Sequence, residues 1–242
     1  MAIIELSGVS KNFGGLRAVD NVSFTVQRGE IFGLIGPNGS GKTTIFNLIS
    51  HFFPLSAGRV SFDGVDITRL KTHEICALGM GRTFQVVRPL KRMTVLDNVI
   101  SSAFLRTASL SQARQEAESW LDFCNLTPYA GQLARGLPIA SRKRLEITRA
   151  LATRPKVLLL DETAAGLNPG ELDEAIALIK KIRDSGVTIL IVEHIMKVIM
   201  SISDRIHCIN HGQTIAQGSP EEVARDPKVI EAYLGQGGGG DA

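Results

Sequence analysis

A glycine-rich segment near the amino terminus has the residue types and the spacing of a phosphate-binding loop. It lies between the apolar run Ile31 to Ile35 and a helix-like segment, Thr43 to Ser50. Glycines let backbone N–H groups approach an anion without side chains in the way. Lys42 can then neutralise the β- and γ-phosphates of a nucleotide, and the hydroxyl of Thr43 can ligate Mg²⁺. The segment, called the phosphate loop below, comprises Gly36, Pro37, Asn38, Gly39, Ser40, Gly41, Lys42, Thr43 and Thr44.

Two adjacent carboxylates, Asp161 and Glu162, follow a second apolar run, Val157 to Leu160. Alone, such a pair more often ends a solvated strand than catalyses a reaction. In a chain with a phosphate loop, an acidic residue after a buried strand typically holds Mg²⁺, directly or through water. A carboxylate beside it can polarise the water that attacks the γ-phosphate. We therefore predict ATP and Mg²⁺ binding, with Asp161 as a metal ligand and Glu162 as the general base.

The strands that must carry these residues can be read from the apolar pattern. Alternation from Val22 to Val26 predicts one strand, and the continuous run Val187 to Val192 is typical of a parallel strand covered on both faces. Asp63-Gly64, inside Val60 to Ile67, predicts an antiparallel hairpin. The sequence therefore predicts an α/β fold with a mixed sheet and an N-terminal antiparallel β subdomain.

A helical pattern occupies the middle of the chain, from Met93 to Leu126. Apolar residues at spacings of three and four predict one buried helix face. We expect an inserted α-helical subdomain over about residues 90–137, with residues 1–89 and 138–234 forming the core of one domain. The predicted face comprises Ala113, Ala117, Trp120, Leu121 and Cys124.

Two further helices have clear start signals. Asn168, Pro169 and Glu171 occupy the cap, first and third positions of one helix, and Gly186 follows its end. Its predicted buried stripe is Leu172, Ala175, Ile176 and Ile179. Ser219, Pro220 and Glu222 repeat the signal for a last helix, before a flexible Gly-rich tail, 235–242.

Charge and composition exclude several classes of protein. A formal net charge of +3 is too small to predict a nucleic-acid partner, which calls for a clustered basic face. Cys76, Cys124 and Cys208 have neither metal-ligand nor redox spacing, so we expect reduced thiols. No run approaches the roughly 18 apolar residues of a membrane span. We expect a soluble, cytoplasmic chain that reaches a membrane only through a partner.

Several spaced residues around these motifs make the chain similar to the ATP-binding cassette (ABC) family, a family of P-loop NTPases. Phe13 stands where the family has an aromatic residue that stacks on adenine. Gln85 stands at the glutamine that contacts Mg²⁺ and the attacking water, and His194 at the switch histidine. Ala165 to Asn168 resembles the loop by which two cassettes meet. The resemblance implies catalytic roles for Gln85, His194, Lys42 and Glu162, and metal contacts for Gln85, Thr43 and Asp161.

The amino-acid sequence between the motifs resembles that of the LivG-type ATPases, which serve importers for branched-chain amino acids and related amides or urea. The resemblance implies a second cassette, identical or paralogous, together with permease subunits in the membrane and an extracytoplasmic substrate-binding protein. The chain would then lie peripherally on the inner face of the cell membrane. The ATPase of lipopolysaccharide export is a near relative, and a soluble cassette ATPase is a further alternative. The similar segments are 81–85, 93–99, 164–169 and 231–235.

One segment departs from the family pattern. The family usually has Leu-Ser-Gly-Gly-Gln, and the LivG type Leu-Pro-Tyr-Gly, in a loop that caps the γ-phosphate bound by the partner cassette. A left-handed backbone at Ala140 would strain its Cβ by about 1–2 kcal/mol. Arg142 and Lys143 are predicted to face solvent, the alternative being that their charge compensates at a phosphate. Because the segment is altered, a weakly active nucleotide-binding subunit is an alternative. The corresponding residues here, called the signature segment, are Pro138, Ile139, Ala140 and Ser141.

Overall fold

A computed structural model describes residues 1–84 and 89–234, which form two units. The first unit joins residues 1–75 to 188–234, and the second spans residues 76–187. Gln85 and the Gly-rich tail, 235–242, lie outside the described residues. The predicted helical subdomain, 90–137, falls within the second unit.

The α/β fold predicted from the sequence is confirmed. In chain order the elements are β1 (Ala2–Phe13), β2 (Leu16–Gln27), β3 (Ile31–Ile35), α1 (Lys42–Ile49), β4 (Ala57–Phe62), β5 (Val65–Asp66), α2 (Thr72–Leu78), β6 (Met80–Arg82), α3 (Val95–Ala103), α4 (Leu110–Phe123), α5 (Ile139–Leu151), β7 (Val157–Asp161), α6 (Pro169–Asp184), β8 (Thr188–Val192), α7 (Met196–Ile202), β9 (Arg205–Asn210), β10 (Gln213–Gly218), α8 (Pro220–Arg225) and α9 (Pro227–Leu234). Two short 3-10 helices, Thr127–Tyr129 and Ala134–Gly136, precede α5.

The N-terminal antiparallel sheet has the strand order β2-β1-β4-β5. The predicted hairpin joins β4 to β5, and Phe62 pairs with Val65 across its two-residue turn. Asp63 and Gly64 both have positive φ, 52° and 78°. Such turns need positive φ at both central residues, which is why Asp-Gly is a strong signal for them.

The sheet behind the phosphate loop is mixed. β3 pairs in parallel with β8 and β9, and β10 runs antiparallel to β9. Every residue of β3 and of β8 is buried. Continuous apolar strands of this kind are covered on both faces, so the phosphate loop begins where a rigid central strand ends.

The helices of the second unit largely follow the sequence pattern. Thr94 caps α3 and Ser109 caps α4 through their side chains. On α4, Ala113, Ala117 and Leu121 are buried, as is Cys124 at the helix end, while Trp120 is only partly buried. The predicted buried face is therefore confirmed, with Trp120 at its edge.

The two helices with predicted capping signals begin as expected. Asn168 with Glu171 and Ser219 with Glu222 each form a reciprocal capping box, at α6 and α8. The predicted stripe of α6 is only half right: Leu172 and Ile179 are buried as predicted, but the other two buried positions are Leu178 and Ile182 rather than Ala175 and Ile176.

The single last helix predicted from the sequence is in fact two, α8 and α9, separated at Asp226. A proline disfavours helical backbone at the residue before it, and Pro227 follows Asp226 directly. Asp226 is extended, with ψ 122°, and its Oδ1 accepts a hydrogen bond from the N–H of Lys228. The break turns α9 into a separate element.

The three cysteines are free thiols, as predicted. Burial raises the pKa of Cys124 to about 11 and that of Cys208 to about 12, so both stay protonated at neutral pH. Within residues 1–84 and 89–234, every helix is too short or too polar to cross a bilayer.

His207, on β9, lies in the core of the first unit. Its ring nitrogens contact Gln217 Oε1 at 3.1 Å and Thr214 Oγ1 at 3.0 Å, and its ring packs against Phe24 with centroids 4.8 Å apart. Burial lowers the pKa of His207 from 6.5 to about 4. The folded chain therefore keeps this imidazole neutral over a pH range in which the unfolded chain protonates it.

We expect the free energy of unfolding to fall as the pH drops from 6.5 to 4, because only the unfolded state takes up the His207 proton in that window. The shift corresponds to about 3 kcal/mol from this group. Denaturant titrations of His207→Gln and wild type across this window measure it, with His73→Gln, at an exposed site, as the control. An equal pH slope in wild type and His207→Gln would contradict the assignment.

Candidate active site

The phosphate loop depends on a close backbone approach at its first glycine. Gly36 has φ 153°, and a Cβ built there would lie 2.1 Å from the carbonyl oxygen of Ile209 and 2.6 Å from Ser40 Oγ. Side-chain carbons do not tolerate such distances, so only glycine fits this position.

The end of the loop is held by two neighbouring segments. Gly41 has φ 109°, and a Cβ there would lie 2.7 Å from the carbonyl oxygen of Ala18 on β2. Gly212, in the turn between β9 and β10, donates its N–H to the carbonyl of Ser40 at 2.9 Å. Gly41 is also the N-cap of α1 and supplies no side-chain cap. The loop is thus fixed, and the first N–H groups of α1 are left for a ligand.

The hydroxyl and amino groups of the loop differ in exposure. Lys42 is buried, and its Nζ donates to the carbonyls of Gly36 at 2.7 Å and Pro37 at 2.9 Å. Thr43 is exposed and Thr44 half-buried. Ser40 Oγ is buried with no hydrogen-bond partner among the described residues. A buried hydroxyl beside a glycine cradle is a group that a phosphate oxygen can satisfy.

A contact from the carboxyl-terminal region reaches the same loop. Tyr233, on α9, is half-buried, and its phenol lies near the backbone of Gly36. Burial raises the pKa of Tyr233 to about 12, so the phenol remains neutral. The last described helix therefore contributes directly to the environment of the phosphate loop.

Phe13, the predicted adenine-stacking residue, lies at the end of β1 with its side chain 41% exposed. Its ring meets Phe53 edge to face at 5.5 Å, and Lys11 Nζ lies 5.0 Å from its centroid. Phe53 and Lys11 hold the ring in place while part of it remains open to solvent.

In the second unit, Asp161 ends β7 and is 2% exposed. Its N–H donates to Thr83 Oγ1 at 3.2 Å, and its Oδ2 lies 3.4 Å from Arg82 Nη2. Burial lowers the pKa of Arg82, and the neighbouring Asp161 charge opposes that shift. Removing either residue would take a charged contact away from a buried group, so this ion pair constrains β6 and β7 together.

Glu162, the predicted base, follows with an unusual backbone. Its φ is 48°, a left-handed value that is uncommon for a residue with a side chain. Its carbonyl accepts a hydrogen bond from Lys143 Nζ at 3.1 Å. The prediction that Lys143 simply faces solvent is therefore wrong, and Arg142 is likewise only partly exposed.

The remaining catalytic predictions concern His194 and Gln85. His194 is exposed in the segment after β8, in the first unit. Gln85 lies outside the described residues, immediately after the described pair Thr83 and Phe84.

The signature segment forms the start of α5. Pro138 is the N-cap and provides no side-chain cap, Ile139 is 54% exposed, and Ser141 is buried. Ala140 lies in the first helical turn without a positive φ, so its Cβ causes none of the strain considered above. The uncapped first turn keeps backbone N–H groups that can bind an anion even though the side chains differ.

Four residues that contact the site were not predicted as site residues. Arg82 and Thr83 carry the contacts to Asp161, Lys143 holds the Glu162 carbonyl, and Tyr233 contacts Gly36. Each acts through a contact distant in sequence, and the residue types alone carry no signal of it.

Two family models match the chain. Residues 19–165 match the model described as ABC transporter, which covers more than half of the chain. The chain belongs to the ABC transporter family. Residues 213–238 match a second model, described as branched-chain amino acid ATP-binding cassette transporter. Membership implies ATP binding.

Individual relatives agree with the models. The chain is 43% identical to BraF, a high-affinity branched-chain amino acid transport ATP-binding protein of Pseudomonas aeruginosa, over 97% of this chain and 98% of the relative. It is 40% identical to LivG of Escherichia coli, described in the same terms, over 97% and 98%. It is also similar to the crystal structure of the ADP conformation of MJ1267, an ATP-binding cassette of an ABC transporter, with TM-score 0.89 and 34% identity over 97% and 99%. The resemblance to LivG-type ATPases is confirmed.

The residues present fit ATP and Mg²⁺. The Gly36 cradle, the unpartnered Ser40 hydroxyl and the uncapped start of α1 suit a bound phosphate. Thr43 in the first unit and Asp161 in the second each carry a hard oxygen donor, the ligand type that Mg²⁺ prefers.

We expect Lys42→Ala to weaken Mg-ATP binding by at least about tenfold, because it removes the buried ammonium of the phosphate loop, and to abolish measurable hydrolysis. Calorimetric titration and phosphate release measure the two effects. Lys71→Ala, at an exposed lysine of the same unit, is the control. Wild-type affinity in Lys42→Ala would show that the nucleotide phosphates bind elsewhere.

Proposed function

We propose that this chain is the ATP-hydrolysing subunit of an importer for branched-chain amino acids or a related small polar substrate such as an amide or urea. The observation that carries the proposal is the phosphate loop, a glycine cradle with a buried lysine at an uncapped helix start. The names of BraF and LivG, and the match of residues 213–238, support the substrate class.

In the proposed reaction the phosphate loop binds the β- and γ-phosphates. The N–H groups at the start of α1 donate to phosphate oxygens, and Lys42 exchanges its contacts with Gly36 and Pro37 for the γ-phosphate. Phe13 stacks on the adenine through its exposed ring surface. These groups bind and orient ATP without taking part in bond breaking.

The acidic residues after β7 have separate roles in the proposal. Thr43, Asp161 and Gln85 would hold Mg²⁺, which would supply positive charge to the phosphate oxygens. Glu162 accepts the proton of the attacking water, while His194 and Gln85 orient that water and the γ-phosphate. The left-handed backbone of Glu162 sets the direction of its side chain.

A second cassette, a copy or a paralogue, completes the proposed machine. The start of α5 caps the γ-phosphate of the partner's ATP with backbone N–H groups, which Ile139 and Ala140 retain. The altered side chains therefore do not by themselves argue for an inactive subunit. ATP binding closes the pair and hydrolysis reopens it, because the two states differ in their affinity for ATP.

The motion acts on permease subunits in the membrane, and the chain would sit peripherally on their cytoplasmic face. An extracytoplasmic binding protein supplies the substrate. In the proposed importer the permease subunits and the binding protein determine substrate specificity, and this chain supplies the energy of ATP hydrolysis. We propose the helical segment 90–137 as the part that contacts the permease.

We expect Glu162→Gln to retain ATP binding while hydrolysis falls at least about a hundredfold, since the amide keeps the shape and removes the base. ATP-dependent dimers should then accumulate in size-exclusion chromatography. Glu221→Gln, at an exposed position of α8, is the control for turnover. Persistent hydrolysis in Glu162→Gln would mean that another group activates the water.

The substrate class has its own test. In cells whose chromosomal copy carries Lys42→Ala, uptake of labelled leucine, isoleucine and valine should fall at least about tenfold, because the motor no longer binds ATP productively. Sugar uptake serves as the control. Unchanged uptake of these three amino acids, with loss of urea or amide uptake, would reassign the substrate.

A further inference from the structure

Lys143 lies on the second turn of α5, and its side chain is directed to the segment that follows β7. Its Nζ donates to the carbonyl oxygen of Glu162 at 3.1 Å, and the side chain is partly buried. A charged donor to a backbone carbonyl is a stronger restraint than a neutral one. The contact therefore fixes the orientation of the peptide group that follows Glu162, the proposed base.

The backbone at Glu162 needs such a restraint. Its φ of 48° places a residue with a Cβ in the left-handed region, which persists only when surrounding contacts determine it. On the amino-terminal side, Thr83 Oγ1 accepts the N–H of Asp161 at 3.2 Å. On the carboxyl-terminal side, Lys143 holds the Glu162 carbonyl.

The helix that carries Lys143 is itself anchored to the next element. Arg144, the following residue, pairs with Glu174 on α6 at 2.5 Å. Leu145 and Ile147 of the same helix are buried. Lys143 thus extends from a fixed helix, and its reach sets where the Glu162 carbonyl can lie.

We propose that Lys143 is a positioning residue for ATP hydrolysis, which holds Glu162 in its left-handed conformation and so aims the carboxylate at the attacking water. The inference rests on the proposed role of Glu162 as base. In this role Lys143 acts through its hydrogen bond to the Glu162 backbone.

The test compares full-length wild type with Lys143→Met, Lys143→Arg and Lys181→Met. Methionine keeps an unbranched apolar stem of similar shape and removes the donor, and arginine restores a donor. Lys181 provides a matched control, because its Nζ also donates to a backbone carbonyl, that of Phe123 at 2.8 Å, within the same unit. Lys143→Leu, which also lacks a donor, replaces Lys143→Met if that variant does not fold.

We expect kcat of Lys143→Met to fall at least about tenfold while its affinity for Mg-ATP stays within about twofold of wild type. Lys143→Arg should recover most of the rate, and Lys181→Met should match wild type. Because hydrolysis is blocked after binding, Lys143→Met should also accumulate ATP-dependent dimers, which a merely destabilised chain would not do.

Three results would overturn the inference: kcat of Lys143→Met within about twofold of wild type, an equal loss in Lys181→Met, or a loss of ATP affinity as large as the loss of rate. Failure of the proposed function has a different signature. In that case Glu162→Gln would hydrolyse ATP as fast as wild type, whatever the Lys143 variants do.

Discussion

The conformation of the phosphate loop depends on the close approach of Gly36 to the carbonyl of Ile209. That approach is possible because β3 and β9 are parallel neighbours, with Ile35 paired to Cys208 one step before the loop. The burial of every residue in β3 keeps the strand from shifting. The backbone N–H groups at the start of α1 are therefore aligned in the absence of a nucleotide. Binding of a nucleotide would then not cost the conformational entropy of ordering them.

In the second unit, acidic side chains are held at the end of a buried strand, β7. Asp161 is balanced by Arg82, and its N–H is bound by Thr83. Glu162 departs from regular strand geometry at once, and Lys143 secures its carbonyl. Charge balance and backbone restraint thus come from β6 and α5, elements whose own motifs are not acidic. The signature segment belongs to the same helix as this restraint.

Local patterns predicted most of the fold, because they record interactions between residues close in the chain. The Asp63-Gly64 hairpin and the capping box at Asn168 are of this kind. Residues 168–182 show what local patterns do not predict. The periodicity located the helix, but tertiary packing determines which positions of its stripe are buried. The contacts of Lys143 and Tyr233 could not be predicted from the sequence, because each joins segments far apart in the chain and neither residue type demands such a partner.

The break at Asp226 has a consequence for what counts as the nucleotide site. Because α9 is separate from α8, its Tyr233 lies near the backbone of Gly36. A chain shortened before Pro227 would keep every nucleotide motif in its sequence and still lose a side chain that lies beside the phosphate loop. Fusions, tags or proteolytic nicks at this end would act on the phosphate loop itself.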